Sequence, residues 1–282
     1  MITPCRADPT IRRRRWVLAG LLGAALAALE ACTVPRPAAD SGLDLRGAPL
    51  ILLGEVHDNA AQHALRVQAL RELLDTGARP ALLMEQFDRE QQAALDAART
   101  APGASPASII AAAGGSGWHW PHYEPFLALA LQHGLVVIAA NVSRTDVRRV
   151  IADGLAAHGF DAAVPEDLMA LQVEALVAGH CGQLDASGAR RLALAQVARD
   201  QFMARLLVRH AAGGAVLLAG NGHVRSDAGA PRWLPPAERA RSRVIGLLES
   251  DADPPGRFDR VLRTEVQPRP DPCAALVPAR PG

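Results

Sequence analysis

The run Leu50-Ile51-Leu52-Leu53-Gly54-Glu55-Val56-His57-Asp58-Asn59 decides the fold. Four apolar residues without polar alternation read as a strand buried on both faces, the habit of a parallel sheet. Gly54 ends the run, and a carboxylate, an imidazole, a second carboxylate and an amide follow within five residues. Four similar apolar runs lie at 81–84, 135–140, 215–219 and 244–248, and a further strand is expected within 258–264. Between them come helical segments. Residues 62–74 place Leu65, Ala69, Leu70 and Leu73 at helical spacing, with Gly77 and Pro80 as the stop. Helices are also expected at 125–132, at 147–158 with Arg148, Arg149 and Asp153 toward water, and at 187–210 with Ser187 as N-cap. Residues 161–184 read as a helical insertion. Strands alternating with helices imply an α/β fold, a three-layer sandwich with a mostly parallel sheet and helices on both faces.

Composition narrows the chemistry. All 30 basic residues among the 282 are arginine. The missing lysine excludes Schiff-base catalysis, pyridoxal phosphate enzymes and P-loop NTPases. A net charge of +1 argues against a dedicated nucleic-acid binder. Residues 12–15 are four arginines followed by an apolar run at 16–29. That run is shorter than the ~20 residues a bilayer-spanning helix needs, so residues 1–31 read as a signal peptide. Leu29-Glu30-Ala31-Cys32 resembles a bacterial lipobox, with Cys32 as the lipidated residue. The expectation is an exported, membrane-anchored lipoprotein, in the outer membrane facing the periplasm. Residues 32–45, rich in Pro, Ala and Asp, read as a tether, 46–275 as the folded domain and 276–282 as a tail. Cys181 and Cys273 remain as a pair able to form a disulfide in an oxidising compartment.

Each apolar run ends in polar residues: Glu55 and His57, then Glu85 and Gln86, then Asn141, then Asn221 and His223. In open parallel sheets ligands bind at the carboxyl ends of the strands, so these side chains are expected at one edge. Asp58 or Asn59 could instead cap the next helix.

The same residues carry a family resemblance. Gly-Glu-Val-His-Asp-Asn at 54–59, Met84-Glu85-Gln86-Phe87-Asp88, Trp120 with Tyr123-Glu124-Pro125, Asn141-Val142-Ser143-Arg144, Arg199-Asp200 and Gly220-Asn221-Gly222-His223 resemble the ChaN-like haem-binding lipoproteins. That family shares a superfamily with Tiki proteases and erythromycin esterases. Ser143 stands where the family usually has proline. The resemblance implies haem as ligand, a role in haem or iron uptake, and dimerisation. It also implies a tyrosine on the iron, which here can only be Tyr123, the chain's single tyrosine. His57, Asn141, Arg144 and His223 are the further cofactor-binding candidates, and Asp200 is a candidate to hold a strand-end histidine. Against this, Tyr123 and Trp120 could simply pack into the core.

Two other classes fit the polar residues. Glu55, His57, Glu85 and His223 have the atoms to bind a divalent ion such as Zn, Mn or Fe, or to act as metal-free hydrolase residues with an activated water. A non-catalytic scaffold would use Asn141, Arg144 and Glu85 as a buried polar network.

Overall fold

In a computed structural model, which describes residues 41–249, 256–271 and 273–274, the apolar run at 50–53 forms β1 (Leu50–Leu53), buried along its length. It leads into α1 (Ala60–Asp75), β2 (Ala81–Asp88), α2 (Gln92–Thr100), α3 (Pro106–Ala113) and α4 (Glu124–His133). Then come β3 (Val137–Asn141), α5 (Arg144–Asp153), α6 (Glu166–Gly179) and α7 (Ala186–His210). The chain finishes with β4 (Ala215–Leu218), α8 (Asn221–Val224), α9 (Pro236–Ala240), β5 (Ser242–Leu248) and β6 (Arg260–Arg263). The segments read as signal peptide, tether up to residue 40 and tail, and with them Cys32, lie outside the described residues.

All six strands are parallel, in the order β3-β2-β4-β1-β5-β6. Successive side chains on a strand point to opposite faces, and both faces here are covered. Ile51 and Leu53 join a core under α1 to α4, whereas Leu50 and Leu52 join a second core under α7. A third cluster ties α5 and α6 to α7 through Val150, Leu168 and Val197. This is the expected three-layer sandwich, with α6 as the helical insertion. Leaving β1, the chain passes over β4 to reach β2; leaving β4, it passes over β1 to reach β5. The two connections depart in opposite directions and open a crevice at the carboxyl ends of β1 and β4.

The structure corrects several boundaries. Leu43 and Leu45, placed in the tether, are 2% exposed core residues, and Ser41 Oγ donates to Glu72 at 2.7 Å, so ordered packing begins by residue 41. The helix expected at 147–158 stops at Asp153, where Gly154 takes a φ of +86°. Asp185 rather than Ser187 caps α7, its carboxylate accepting the Gly188 N–H at 2.6 Å. The helices α2 and α3 had no counterpart in the sequence pattern. Each buries one or two residues, and α3 is started by a reciprocal Ser105–Ser108 capping box. Gln92 at the start of α2 shields the β3 edge: it accepts from Ala139 N at 2.7 Å and donates to Val137 O at 3.1 Å, standing in for a neighbouring strand.

Cys181 and Cys273 form a disulfide with Cα atoms 5.6 Å apart. Beyond β6, Arg269 clasps Asp58 with two hydrogen bonds of 2.6 Å and Glu249 with bonds of 2.6 and 2.8 Å. The C-terminal segment is thus fixed both to the loop after β1 and to the end of α6. The cross-link spans a separation of 92 residues, which in the chain-entropy account is worth about 4.6 kcal/mol. Cys181→Ser with Cys273→Ser should lower the unfolding free energy by about 2–5 kcal/mol in urea titrations; a loss under about 0.5 kcal/mol would refute the contribution.

Candidate functional site

The first half of the site grows from the turn after β1. A Cβ on Gly54 would sit 2.2 Å from Asn221 Oδ1, so only glycine lets the loops after β1 and β4 approach. Those loops are joined by Asn221 N donating to Glu55 O at 3.0 Å. Asn59 does cap α1, accepting from Gln62 N at 3.0 Å. Between Gly54 and this cap the chain curls back, bringing His57 Nδ1 to 2.9 Å from Glu55 Oε1. The first turns of α1 add His63, whose Nδ1 is 3.1 Å from Glu55 Oε2, and Arg66, whose guanidinium pairs with the same oxygen. Tyr123 donates its hydroxyl to Glu55 Oε1 at 2.7 Å. Burial lowers the Arg66 pKa to about 10, which leaves it charged at neutral pH.

These contacts settle the His57 tautomer. Glu55 faces a guanidinium and accepts a phenol proton, so it is ionised and can only accept. Nδ1 of His57 therefore carries the hydrogen, and Nε2 lies on the Gly220 side of the ring, 3.1 Å from where a Cβ on Gly220 would sit. The imidazole is 48% exposed, and Trp118 stands edge-on with ring centroids 5.0 Å apart.

The second half comes from β2, α7 and the loop after β4. Glu85 Oε2 accepts Gly220 N–H at 2.8 Å, and Oε1 lies 3.5 Å from His223 Nε2. His223 Nδ1 is 2.6 Å from Asp200 Oδ1, the partnership that the family pattern suggested for Asp200. Gln172 on α6 donates to Asp200 Oδ2 at 3.3 Å and to Ala228 O at 3.0 Å. Burial opposes ionisation of Glu85, but His223, His57 and the Gly220 N–H outweigh it and hold the carboxyl below its ordinary range. Burial pushes Asp200 up to about 6, against the pull of His223. Burial also disfavours protonated His223, yet Glu85 and Asp200 prevail and raise it.

The halves meet over Gly220. A Cβ there would lie 2.9 Å from His57 Cε1 and 3.8 Å from Glu85 Oε2. A cleft of about 430 Å³ opens above, between the Glu55–His57 turn, the Gly220–His223 loop, and Gln172, Ala175 and Leu176 of α6. To one side Asn141 donates to Asp88 at 3.0 Å and accepts from Arg199 Nε at 3.1 Å. Ser143, in the family's proline position, caps α5 by accepting from Asp146 N at 3.1 Å, which leaves Arg144 exposed at the helix start.

Two expectations change. Tyr123 was the candidate iron ligand, but its ring is fully buried and its oxygen is committed to Glu55. Burial drives the phenol pKa far above its usual range, so the phenolate that ferric iron would take is strongly disfavoured. Glu55, His57, Glu85 and His223 do gather at one edge, but Glu55 is hydrogen-bonded to His57 while Glu85 and His223 stand 3.5 Å apart, each hydrogen-bonded to another group, rather than all four serving as ligands around one point. Among the described residues no group of three or more His, Cys, Asp or Glu side chains is arranged to hold a metal ion. Arg66 and His63 are site residues that the sequence reading missed. Their signal was polar side chains at 62, 63 and 66 in the helical stripe that continues through Leu70 and Leu73, all buried.

The family model described as "Haem-binding uptake, Tiki superfamily, ChaN" matches residues 43–234. Among solved structures, a haem-bound ChaN of Campylobacter jejuni, described as binding haem cofacially, is 20% identical with a TM-score of 0.60, over 73% of this chain and 84% of that one. The type III effector HopBA1 is 17% identical with a TM-score of 0.44, over 79% of this chain and 95% of that one. The erythromycin esterase EreC in its open conformation is 14% identical with a TM-score of 0.42, over 75% of each chain. No curated protein matches the chain.

The His223 environment makes a pH prediction. A histidine raised in the folded state contributes stability that is complete below its unfolded value of 6.5 and is lost as pH rises through the folded value. The raised Asp200 acts in the same direction over its own range, between 3.8 and about 6. The stability advantage of wild type over His223→Gln should therefore shrink as urea midpoints are followed from about pH 6 to about pH 9. A gap that stays constant across that range would exclude a raised His223.

Proposed function

Because this chain belongs to the ChaN family of haem-binding uptake proteins in the Tiki superfamily, we propose that it binds haem at the mouth of the β1–β4 crevice, with His57 Nε2 as the iron ligand. The observation that carries this is a half-exposed imidazole whose Nδ1 is held by a buried carboxylate and whose Nε2, on the Gly220 side of the cleft, has no hydrogen bond of its own among the described residues. Haem supplies an iron atom that accepts a neutral imidazole nitrogen. A carboxylate behind a ligating histidine fixes its orientation and raises its basicity. Gly220 leaves room against the His57 ring, Trp118 presents an edge beside it, and Ala175 and Leu176 give the opposite wall apolar surface that excludes water. With no lysine in the chain, propionates would be met by arginine, and Arg144 and Arg199 stand on the Asn141 side of the site. Asn141 acts by orienting Arg199, and His223 by closing the far side of Gly220.

The same proposal makes the protein an exported lipoprotein, held through Cys32 in the outer membrane facing the periplasm and serving haem or iron uptake. Its support is the arginine-then-apolar leader, the cysteine at 32, and a disulfide of the kind that persists in oxidising compartments.

A second reading rests on the same imidazole. His57 backed by Glu55 has the arrangement of a general base oriented by a carboxylate, which suits a metal-free hydrolase. Ester hydrolysis by haem-free protein that disappears in His57→Ala would favour it.

Haem titration followed by the Soret band tests the main proposal. His57→Ala should weaken binding by about tenfold or more and change the spectrum, whereas Tyr123→Phe should keep histidine ligation. A phenolate charge-transfer band lost in Tyr123→Phe, with His57→Ala unaffected, would reverse the assignment.

A further inference from the structure

We propose that Tyr123 and Glu55 form a relay behind His57 that sets how strongly its imidazole donates to bound iron, with the Tyr123 hydroxyl weakening that donation. This rests on the assignment of His57 as ligand. Neither Tyr123 nor Glu55 reaches the open cleft with a free polar atom; both act through His57 as positioning residues.

The relay is visible in who shares which oxygen. Glu55 Oε1 takes two donors, Tyr123 Oη at 2.7 Å and His57 Nδ1 at 2.9 Å. Oε2 faces Arg66 and His63. Every donor on a carboxylate draws charge from it, so each reduces how far the carboxylate polarises the His57 N–H. The effect is large only where water cannot substitute, and here it cannot: Tyr123 and Arg66 have no exposed surface, and Glu55 is 2% exposed. A phenylalanine would fill the same space among Trp118, Trp120 and Phe126, so the hydroxyl's identifiable contribution is its bond to Glu55. Burial keeps the phenol protonated and hence a donor at any ordinary pH. A strongly polarised histidine favours ferric over ferrous iron, as the charge on its ligand nitrogen stabilises the higher oxidation state. Tyr123 then holds the iron more reducible than an unrestrained Glu55–His57 pair would.

The test pairs a haem measurement with one that needs no haem. In haem-loaded protein, Tyr123→Phe should lower the ferric/ferrous midpoint potential, and Glu55→Gln, which removes the charge, should raise it. Glu55→Gln strips Arg66 of its counter-charge, so where that variant fails to fold the decision falls to Tyr123→Phe. In haem-free protein, nitrogen-15 NMR should find the His57 hydrogen on Nδ1, with its proton resonance moving downfield in Tyr123→Phe. A potential and a resonance both unmoved in Tyr123→Phe, with His57→Ala still abolishing haem ligation, would overturn the relay while sparing the ligand. If His57→Ala left the haem spectrum intact, the ligand assignment would fall and the iron-tuning role with it. The haem-free resonance would still decide whether the Tyr123–Glu55–His57 coupling exists.

Discussion

A guanidinium with no exposed surface, Arg66, lies against the Glu55 carboxylate just beyond β1, and also donates to Leu53 O at 3.1 Å. Taking either charge out of water alone is expensive, and a buried pair stripped of one partner loses about 3–5 kcal/mol. The arrangement survives because one carboxylate oxygen takes hydrogen bonds from Tyr123 and His57 while the other faces Arg66 and His63, and because the Arg66 guanidinium stands 5.4 Å from the Phe126 ring. Its geometric effect is larger than its energetic one. Arg66 comes from α1, Tyr123 from the turn before α4, and Glu55 from the end of β1, so one carboxylate locks three elements of the same face together. His57 is oriented only because Glu55 has nowhere else to go.

The opposite side of the crevice follows a different rule. Glu85 and His223 are matched through a backbone N–H and through Asp200, and their charges are set by one another rather than by a fixed cation. Gly54 and Gly220 are two positions on the crevice floor where the close approach of the loops needs glycine. At each, a methyl group would enter the side chain of the facing loop. The site is consequently narrow at its floor, where His57 lies against Gly220 and Glu85.

Much of this was legible in the sequence. Parallel strands buried on both faces leave unbroken apolar runs, so β1, β4 and β5 were found almost to the residue, and the polar strand ends gave the correct edge of the sheet. The resemblance carried by those strand ends led to the right family. What escaped detection has physical causes. A buried arginine looks like any other polar residue on a helix until its partner is known, because Arg66 meets Glu55 only after the loop has turned. Tyr123 between two aromatic-rich turns reads equally as a ligand or as core, and only its burial separates the two. Leu43 and Leu45 sit in a segment whose Pro, Ala and Asp content resembles a linker, yet two leucines at alternate positions suffice to pin it. Asp185 was passed over for Ser187 because both are good caps, two residues apart.

The bond between Cys181 and Cys273 closes a covalent ring that contains α7, β4, β5 and β6. Asp200, Gly220 and His223 lie inside this ring; Glu55, His57, Glu85 and Tyr123 lie outside it. The two walls of the cleft therefore belong to chain segments of unequal freedom, one with a permanently shortened unfolded state and one open. Partial opening of the molecule along the β1–β4 seam would part the two walls, although β5, inside the ring, stays paired with β1. A molecule seated across Gly220 then serves as a reversible second clasp between ring and open chain, and its occupancy is paid back as resistance to that opening.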